Sequence, residues 1–98
     1  GNGTAGNNPP NGTIVSPASD IVISRYQSVN FTSNFFDADG DNVVYHWDFD
    51  GVTYNRTNAH PGWISFDETG TFEIILTVTD SRGLSDTTPA KRKITVVN

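Results

Sequence analysis

The sequence contains no cysteine and no methionine, and only 17% of its residues are charged. Without cysteine the fold cannot be a disulfide scaffold, and thiols give no indication of the redox compartment. No apolar run is long enough to span a membrane, and no segment has the pattern of a signal peptide. We therefore expect no direct membrane contact, and we expect the chain to be a fragment of a longer protein.

Basic residues are also scarce, because 6 Lys and Arg stand against 11 Asp and Glu and give a net charge of -5. A nucleic-acid partner is therefore not expected, since its phosphates need clustered Lys and Arg. The acidic balance fits a soluble surface, or cation binding where carboxylates converge. Three basic residues form a late run at 91–93, which is more typical of a solvated strand edge than of a binding patch.

The 98 residues suit a single domain, and six Phe, three Tyr and two Trp supply a thin two-layer core. Residues 1–10 are rich in Gly, Asn and Pro and predict a flexible linker, because they bury too little surface to offset ordering. Residues 11–98 then form the folded domain. We expect it to be monomeric in isolation.

Apolar residues alternate with polar ones along three segments, which indicates strands with one buried face each. Pro17 interrupts an earlier apolar segment, so its two halves predict a broken edge strand. Pairs such as Asp39-Gly40 and Arg82-Gly83 supply turns, and no segment has helical periodicity. The pattern predicts an all-β, immunoglobulin-like, two-sheet antiparallel β-sandwich of about seven strands. We place the strands at 13–16, 21–24, 29–35, 43–49, 63–66, 72–80 and 93–97.

The predicted core consists of the inward positions of these strands. Trp47 belongs to it because Tyr45 and Phe49 share its face. The full set is Val29, Phe31, Phe35, Val43, Tyr45, Trp47, Phe49, Phe66, Phe72, Ile74, Leu76, Val78, Ile94 and Val96.

Two segments in the correct order resemble the PKD domain family: FDADGDNVVYHWDFDG at 36–51 and ETGTFEIILTVTDSRG at 68–83. The family's WDFGDG motif is shortened here at 47–51. The resemblance covers residues 10–97 and implies a β-sandwich module of extracellular or cell-surface multidomain proteins. It implies an accessory role, as a spacer or as an adhesive module that binds proteins or polysaccharides, and it does not imply catalysis.

Alternating carboxylates flank Gly40 at Asp37, Asp39 and Asp41, and Asp80 ends a strand that could reach the same end of the sandwich. Such carboxylates can surround a hard cation, and calcium is the candidate. The alternative is a structural turn in which Asp side chains accept hydrogen bonds from nearby amides. Both interpretations remain open at this point.

Trp63 and Tyr54 lie in or beside the irregular stretch 52–60. Alternation with Ile64 and Phe66 favours an outward Trp63, which could stack on a sugar ring or anchor a protein. The alternative is that Trp63 covers an open end of the sandwich.

Three functional hypotheses follow. The first is a spacer and protein-interaction module, and the second is a carbohydrate- or fibre-binding accessory domain of a secreted glycoside hydrolase or protease. The third is an enzyme, which we do not expect, because no nucleophile-elbow pattern is present and the paired Asp48 and Asp50 lack a deep cleft.

Overall fold

The computed structural model describes residues 8–98, so residues 1–7 of the predicted linker lie outside the described residues. Seven strands and no helix occur within that range. They are β1 (Asn11–Ser16), β2 (Ile21–Ser24), β3 (Ser28–Phe36), β4 (Val43–Asp48), β5 (Gly62–Ser65), β6 (Gly70–Asp80) and β7 (Ala90–Val97).

The strands form a three-stranded sheet in the order β1-β3-β5 and a four-stranded sheet in the order β2-β7-β6-β4. Apolar side chains from the inner faces of both sheets make the core, so the predicted β-sandwich is confirmed. All pairs are antiparallel except β2–β7, where Ile21 lies beside Ile94 and Ser24 beside Val97. This exception arises because β2 continues in the direction of β1 after the chain crosses between the sheets.

The prediction of one broken edge strand around Pro17 was wrong in one respect. β1 and β2 are edge strands of different sheets, because the chain changes sheet between them. Arg92 on β7 holds the crossing: its Nε donates to Pro17 O at 2.7 Å and its Nη2 donates to Ile14 O at 2.6 Å. The planar fork of the guanidinium suits several carbonyl acceptors at once.

Aromatic rings occupy the centre of the core. Phe31 packs edge-on against Trp47 at 5.9 Å and against Phe49 at 5.1 Å, measured between ring centroids. Trp47 and Phe49 stack at 5.8 Å with an interplanar angle of 6°. All three side chains are fully buried, which confirms the predicted place of Trp47. The Trp47 indole also donates from Nε1 to Asn58 O at 2.9 Å, so its polar atom is satisfied.

The predicted core was wrong at Phe35, which is 37% exposed. It lies near the end of β3, at the rim of the sandwich, where its ring packs edge-on against the half-buried Tyr45. The core instead includes Ile14 and Ile64, which were not predicted. Both lie on short strands, in which two or three apolar residues give too weak an alternation to assign the buried face.

A buried carboxylate joins β1 to the segment before β7. Asp86 is 6% exposed, and its Oδ2 accepts the amide of Gly12 at 2.8 Å. Its Oδ1 accepts the amide of Thr88 at 2.9 Å. A Cβ added at Gly12 would lie 3.1 Å from the Val78 methyl groups, so glycine permits this close approach.

The chain enters and leaves the sandwich at opposite ends. At the N-terminal pole, Asn11 begins β1 beside Phe36, the last residue of β3. At the C-terminal pole, Val96 near the end of β7 lies beside Gly70, the first residue of β6. β6 connects the two poles with eleven residues, a length of about 36 Å at the usual rise per residue.

Candidate functional site

The aspartate-rich segment forms a tight turn at the N-terminal pole, directly after β3. Asp37 Oδ1 accepts the amide of Asp39 at 2.8 Å, and Asp37 O accepts the amide of Gly40 at 3.0 Å. Gly40 has a φ of 73°, a backbone conformation that favours glycine. The turn returns the chain to β4, so that Asp41 lies near Asp37.

Asp80 reaches the same pole from the other sheet, because it ends β6 and pairs with Val43 at the start of β4. Its side chain is buried, and Oδ1 accepts the amides of Arg82 and Leu84, each at 2.9 Å. These bonds order the turn that follows β6.

Three carboxylates therefore converge at this pole. One oxygen from each of Asp37, Asp41 and Asp80 lies within 4.8 Å of the others. Oδ2 of Asp37 and Oδ2 of Asp41 are buried and accept no hydrogen bond. Arg82 supplies one positive charge, with its Nε 3.5 Å from Asp41 Oδ2 and its side chain 59% exposed. Buried oxygens without donors favour a further positive charge, and calcium binds carboxylate oxygens of this kind.

Asp39, the fourth predicted ligand, is not part of this cluster. It is exposed, its Oδ2 accepts the amide of Asn8 at 2.7 Å, and its Oδ1 lies 3.4 Å from the Asn8 Nδ2 donor. Asp39 instead contacts the segment that leads into β1. The sequence pattern could not show that Asp39 lies outside the cluster. Strict alternation places the carboxylates of Asp37, Asp39 and Asp41 on one side of an extended chain.

Arg82 is a residue near the cluster that the sequence reasoning did not assign to it. The signal was present, because Arg82 follows Asp80 by two residues in the turn Asp80-Ser81-Arg82-Gly83. Only the folding of the β3–β4 turn onto the β6–β7 turn brings the guanidinium close to Asp41.

Trp63 lies on the outer face of the three-stranded sheet and is 71% exposed. It pairs with Asn30 across the β3–β5 ladder, while the adjacent Ile64 is 3% exposed. Of the two predicted orientations, the structure therefore has the outward one.

Tyr54 is also exposed, at 74%, but it belongs to another surface. Its ring centroid lies 4.3 Å from the Arg56 guanidinium carbon, and Arg56 forms a β-bridge with Trp47 on the four-stranded sheet. Asn55 between them lies 3.4 Å from the ring of His46. Trp63 lies on β5 of the three-stranded sheet, whereas Tyr54 lies in the β4–β5 segment and packs against Arg56.

The carboxylates of Asp48 and Asp50 accept hydrogen bonds from backbone amides. Asp48 Oδ1 accepts the amide of Asp50 at 2.8 Å, and Asp50 Oδ2 accepts the amide of Glu73 at 2.9 Å. The cavity beside Asp50 holds about 120 Å³, whereas pockets for small ligands usually hold roughly 300–1,000 Å³. This geometry suits a stabilised turn.

No helix among residues 8–98 is long and apolar enough to cross a membrane.

The chain has similar relatives among curated sequences. The chain is 42% identical over 62 residues to the pre-pro-metalloprotease PrtV of Vibrio cholerae serotype O1 (strain M66-2), covering 63% of the chain and 6% of that protein. It is 36% identical over 90 residues to the collagenase ColA of Clostridium perfringens (strain 13 / Type A), covering 90% of the chain and 8% of that protein. The chain thus spans less than a tenth of either relative.

Among solved structures, one described for the promiscuous specificity of carbohydrate-binding modules from the β-sandwich superfamily matches with a TM-score of 0.72 and 26% identity. The match covers 95% of this chain and 36% of that chain. A structure of the fibronectin(III)-like modules of Clostridium thermocellum CbhA shares the fold, with a TM-score of 0.67 and 22% identity over 91% of this chain and 47% of that one.

The model of the PKD domain family matches residues 12–90, which include β2 to β6 in full, all of β1 except its first residue, and only the first residue of β7. This confirms the resemblance carried by segments 36–51 and 68–83. The chain belongs to the PKD domain family.

Proposed function

We propose that this domain is a non-catalytic accessory module of a larger secreted or cell-surface protein, where it separates and orients neighbouring parts of the chain. The observation that carries the proposal is the position of the two ends at opposite poles of a packed sandwich. A neighbour attached at each end is then held apart by the length of β6, about 36 Å. The relatives PrtV and ColA support this role, because each is named as a protease and is far longer than this domain.

The hydrogen bonds of the Asp48 and Asp50 carboxylates support a non-catalytic role. Each accepts a backbone amide, and the adjoining cavity is too small for most ligands. Hydrolysis of casein or a soluble glucan by the isolated domain, if lost in Asp48→Asn, would contradict this part of the proposal.

The spacer role predicts a fixed distance between the poles. Because the chain has no cysteine, dyes can be attached through Asn11→Cys and Asn98→Cys alone. Energy transfer between single dye pairs should give one narrow distance of roughly 35 Å that does not change with salt. In denaturant the distribution should broaden and lengthen, since a flexible chain of this length has an end-to-end distance of about 50 Å or more. A broad or salt-dependent distribution under native conditions would refute the rigid spacer.

We also propose that the N-terminal pole binds calcium through Asp37, Asp41 and Asp80. Support comes from the buried Oδ2 atoms of Asp37 and Asp41, which accept no hydrogen bond and lie close to a third carboxylate. Buried carboxylate oxygens that accept no hydrogen bond are costly, and a divalent cation would offset that cost. The ion would also join the β3–β4 turn to the end of β6.

Calcium should therefore raise the melting temperature. Extracellular modules bind calcium with a Kd of about 10⁻⁴–10⁻³ M, so 10 mM should add about 1.4–2.7 kcal/mol, or roughly 5–20 °C. Asp41→Asn should abolish the shift relative to EDTA. Asp39→Asn is the matched control, because Asp39 lies outside the cluster, and it should keep the shift. No shift in the wild type, or an equal shift in Asp41→Asn, would remove the proposal.

Binding of a polysaccharide is a second candidate function, and the exposure of Trp63 favours it. The likeness to carbohydrate-binding modules at 26% identity supports this candidate. Tyr54 lies outside the strands of the sheet that carries Trp63, in the β4–β5 segment.

A further inference from the structure

Among residues 8–98, the outward strand positions of the three-stranded sheet carry no charged side chain. A carboxylate lies at the rim beside β5, where Asp67 Oδ1 accepts a hydrogen bond from Ser65 Oγ at 2.6 Å. Burial alternates along β1, β3 and β5, so the exposed or half-buried positions define the outer face. All of these outward side chains are amides, hydroxyls, aliphatic groups or aromatic rings. They are Asn11, Thr13, Val15, Ser28, Asn30, Thr32, Asn34, Phe36, Trp63 and Ser65, and we call this surface the neutral face.

The outer face of the four-stranded sheet has a different chemistry. Its outward positions include Asp48 on β4, Glu73 on β6, and Lys91 and Lys93 on β7. Glu73 and Lys93 are directly paired across the ladder, as expected for a solvated sheet surface. The fold therefore tolerates charged residues at outward strand positions of the four-stranded sheet. The lack of charged residues at the corresponding positions of the neutral face is specific to that surface.

Two features of the neutral face favour a ligand. The first is Trp63, whose indole is 71% exposed. Its partner across the ladder is the polar Asn30. The second is a shallow groove of about 210 Å³ farther along β3, lined by Asn11, Thr13, Val15, Asn34, Phe35 and Phe36. The two exposed aromatic residues, Trp63 and Phe36, lie toward opposite ends of the face.

The spacing of these features matches an extended ligand. Trp63 lies beside Asn30, and Phe36 lies six residues farther along the same strand, a distance of about 20 Å. Thr32 and Asn34 lie between them on the same face. An extended chain of several sugar rings would contact an aromatic residue at each end and amide and hydroxyl groups in the middle.

We infer that the neutral face binds an uncharged, extended polysaccharide, with Trp63 stacking on one sugar ring. The inference rests on the second candidate function above and specifies its surface and ligand class. Asn side chains and Thr hydroxyls both donate and accept hydrogen bonds, as sugar hydroxyls do. No charged side chain at the strand positions of the neutral face has to be desolvated when the two surfaces meet. The flat, weakly polar ring of Trp63 matches the apolar face of a sugar ring.

The charge of the protein argues against acidic polysaccharides as the ligand. The chain has a net charge of -5, and the neutral face offers no Lys or Arg to pair with a carboxylate or sulfate group. A polyanion would be repelled as it approached and would stay unpaired after binding. The complementary ligand is therefore neutral.

Electrophoresis through gels that contain a dissolved polysaccharide tests the inference directly. The probes are hydroxyethylcellulose, xyloglucan and galactomannan as neutral polymers, and polygalacturonate and alginate as acidic ones. At least one neutral polymer should retard the wild-type domain, and neither acidic polymer should. Trp63→Ala should weaken the retardation at least tenfold, as expected for an exposed aromatic anchor.

Two further variants test whether a loss of binding is specific to the neutral face. They distinguish it from the loss of any exposed ring and from unfolding. Tyr54→Ala removes a similarly exposed aromatic ring from the β4–β5 segment, outside the neutral face, and should bind like the wild type. Asn34→Asp places one negative charge in the groove and should weaken binding several-fold. The melting temperature of each variant should stay within about 2 °C of the wild type, because these side chains are exposed.

The inference would be overturned by no retardation in any neutral polymer, by equal retardation of Trp63→Ala and wild type, or by equal losses in Trp63→Ala and Tyr54→Ala. Binding to collagen fibrils in place of the polymers would also overturn it, because the ligand would be a protein. The dye-pair measurement is independent of this experiment. A fixed distance between the poles without polysaccharide binding would therefore reject the neutral-face ligand and keep the spacer.

Discussion

Replacing Phe31 with alanine is expected to destabilise the domain by about 3–5 kcal/mol. Phe31 is fully buried and contacts the rings of Trp47, Phe49 and Phe66, so its removal leaves a cavity that rigid aromatic neighbours cannot fill. Domains of this size are stabilised by only about 5–15 kcal/mol, so the loss is a large part of the total. Urea denaturation followed by tryptophan fluorescence should show a much lower midpoint.

Phe36→Ala is the matched control, because it removes the same ring from the same strand at a position that is 69% exposed. Surface substitutions of this kind usually change stability by less than about 0.5 kcal/mol. If both variants had similar midpoints, Phe31 would not be at the centre of the core, and the packing described here would be wrong.

The second large effect is expected at Asp86, where alanine should cost about 2–4 kcal/mol. The change removes the acceptor for the Gly12 and Thr88 amides, and a buried donor without a partner costs about 1–3 kcal/mol. The first strand would also lose its connection to the segment before β7. Hydrogen exchange should show faster exchange of the Gly12 amide, together with a lower unfolding free energy.

Asp20→Ala provides the comparison, since Asp20 also accepts a backbone amide, that of Lys93 at 2.8 Å, but at an exposed site. Water can replace that acceptor, so the cost should be about 1 kcal/mol or less. Equal destabilisation by the two substitutions would show that burial of Asp86 does not matter to stability.

The strands that could be predicted from sequence are those with a long alternating pattern. β3, β4 and β6 each carry at least three apolar residues at every second position, so their existence and buried faces were predicted correctly. The pattern fails where strands are short or end at the rim. Ile14 and Ile64 had too few alternating neighbours in the sequence to be assigned to the core. Phe35 fits the alternating pattern and was therefore predicted to be buried, but at the rim the second sheet does not cover it fully.

The candidate sites, like the strands, could be predicted from the sequence only in part. Alternating Asp residues and an apolar strand ending in Asp80 can be read from the sequence, and both are placed at the N-terminal pole. The sequence could not show that Asp39 turns toward Asn8 while Asp41 lies near Arg82, because a single glycine with positive φ reverses the side-chain directions within the turn.

By itself, the sequence determined the fold class, the family and most of the aromatic core, because period-two burial is a local property of each strand. Only the tertiary structure decided which strands are neighbours, which carboxylates meet, and that Trp63 lies on β5 whereas Tyr54 lies in the β4–β5 segment beside Arg56. These relations depend on pairing between residues far apart in the chain, such as β1 with β3 and β2 with β7. The physical reason is that hydrophobic alternation fixes the side of a strand that is buried, whereas contact between distant strands is fixed only by the packing of the whole domain.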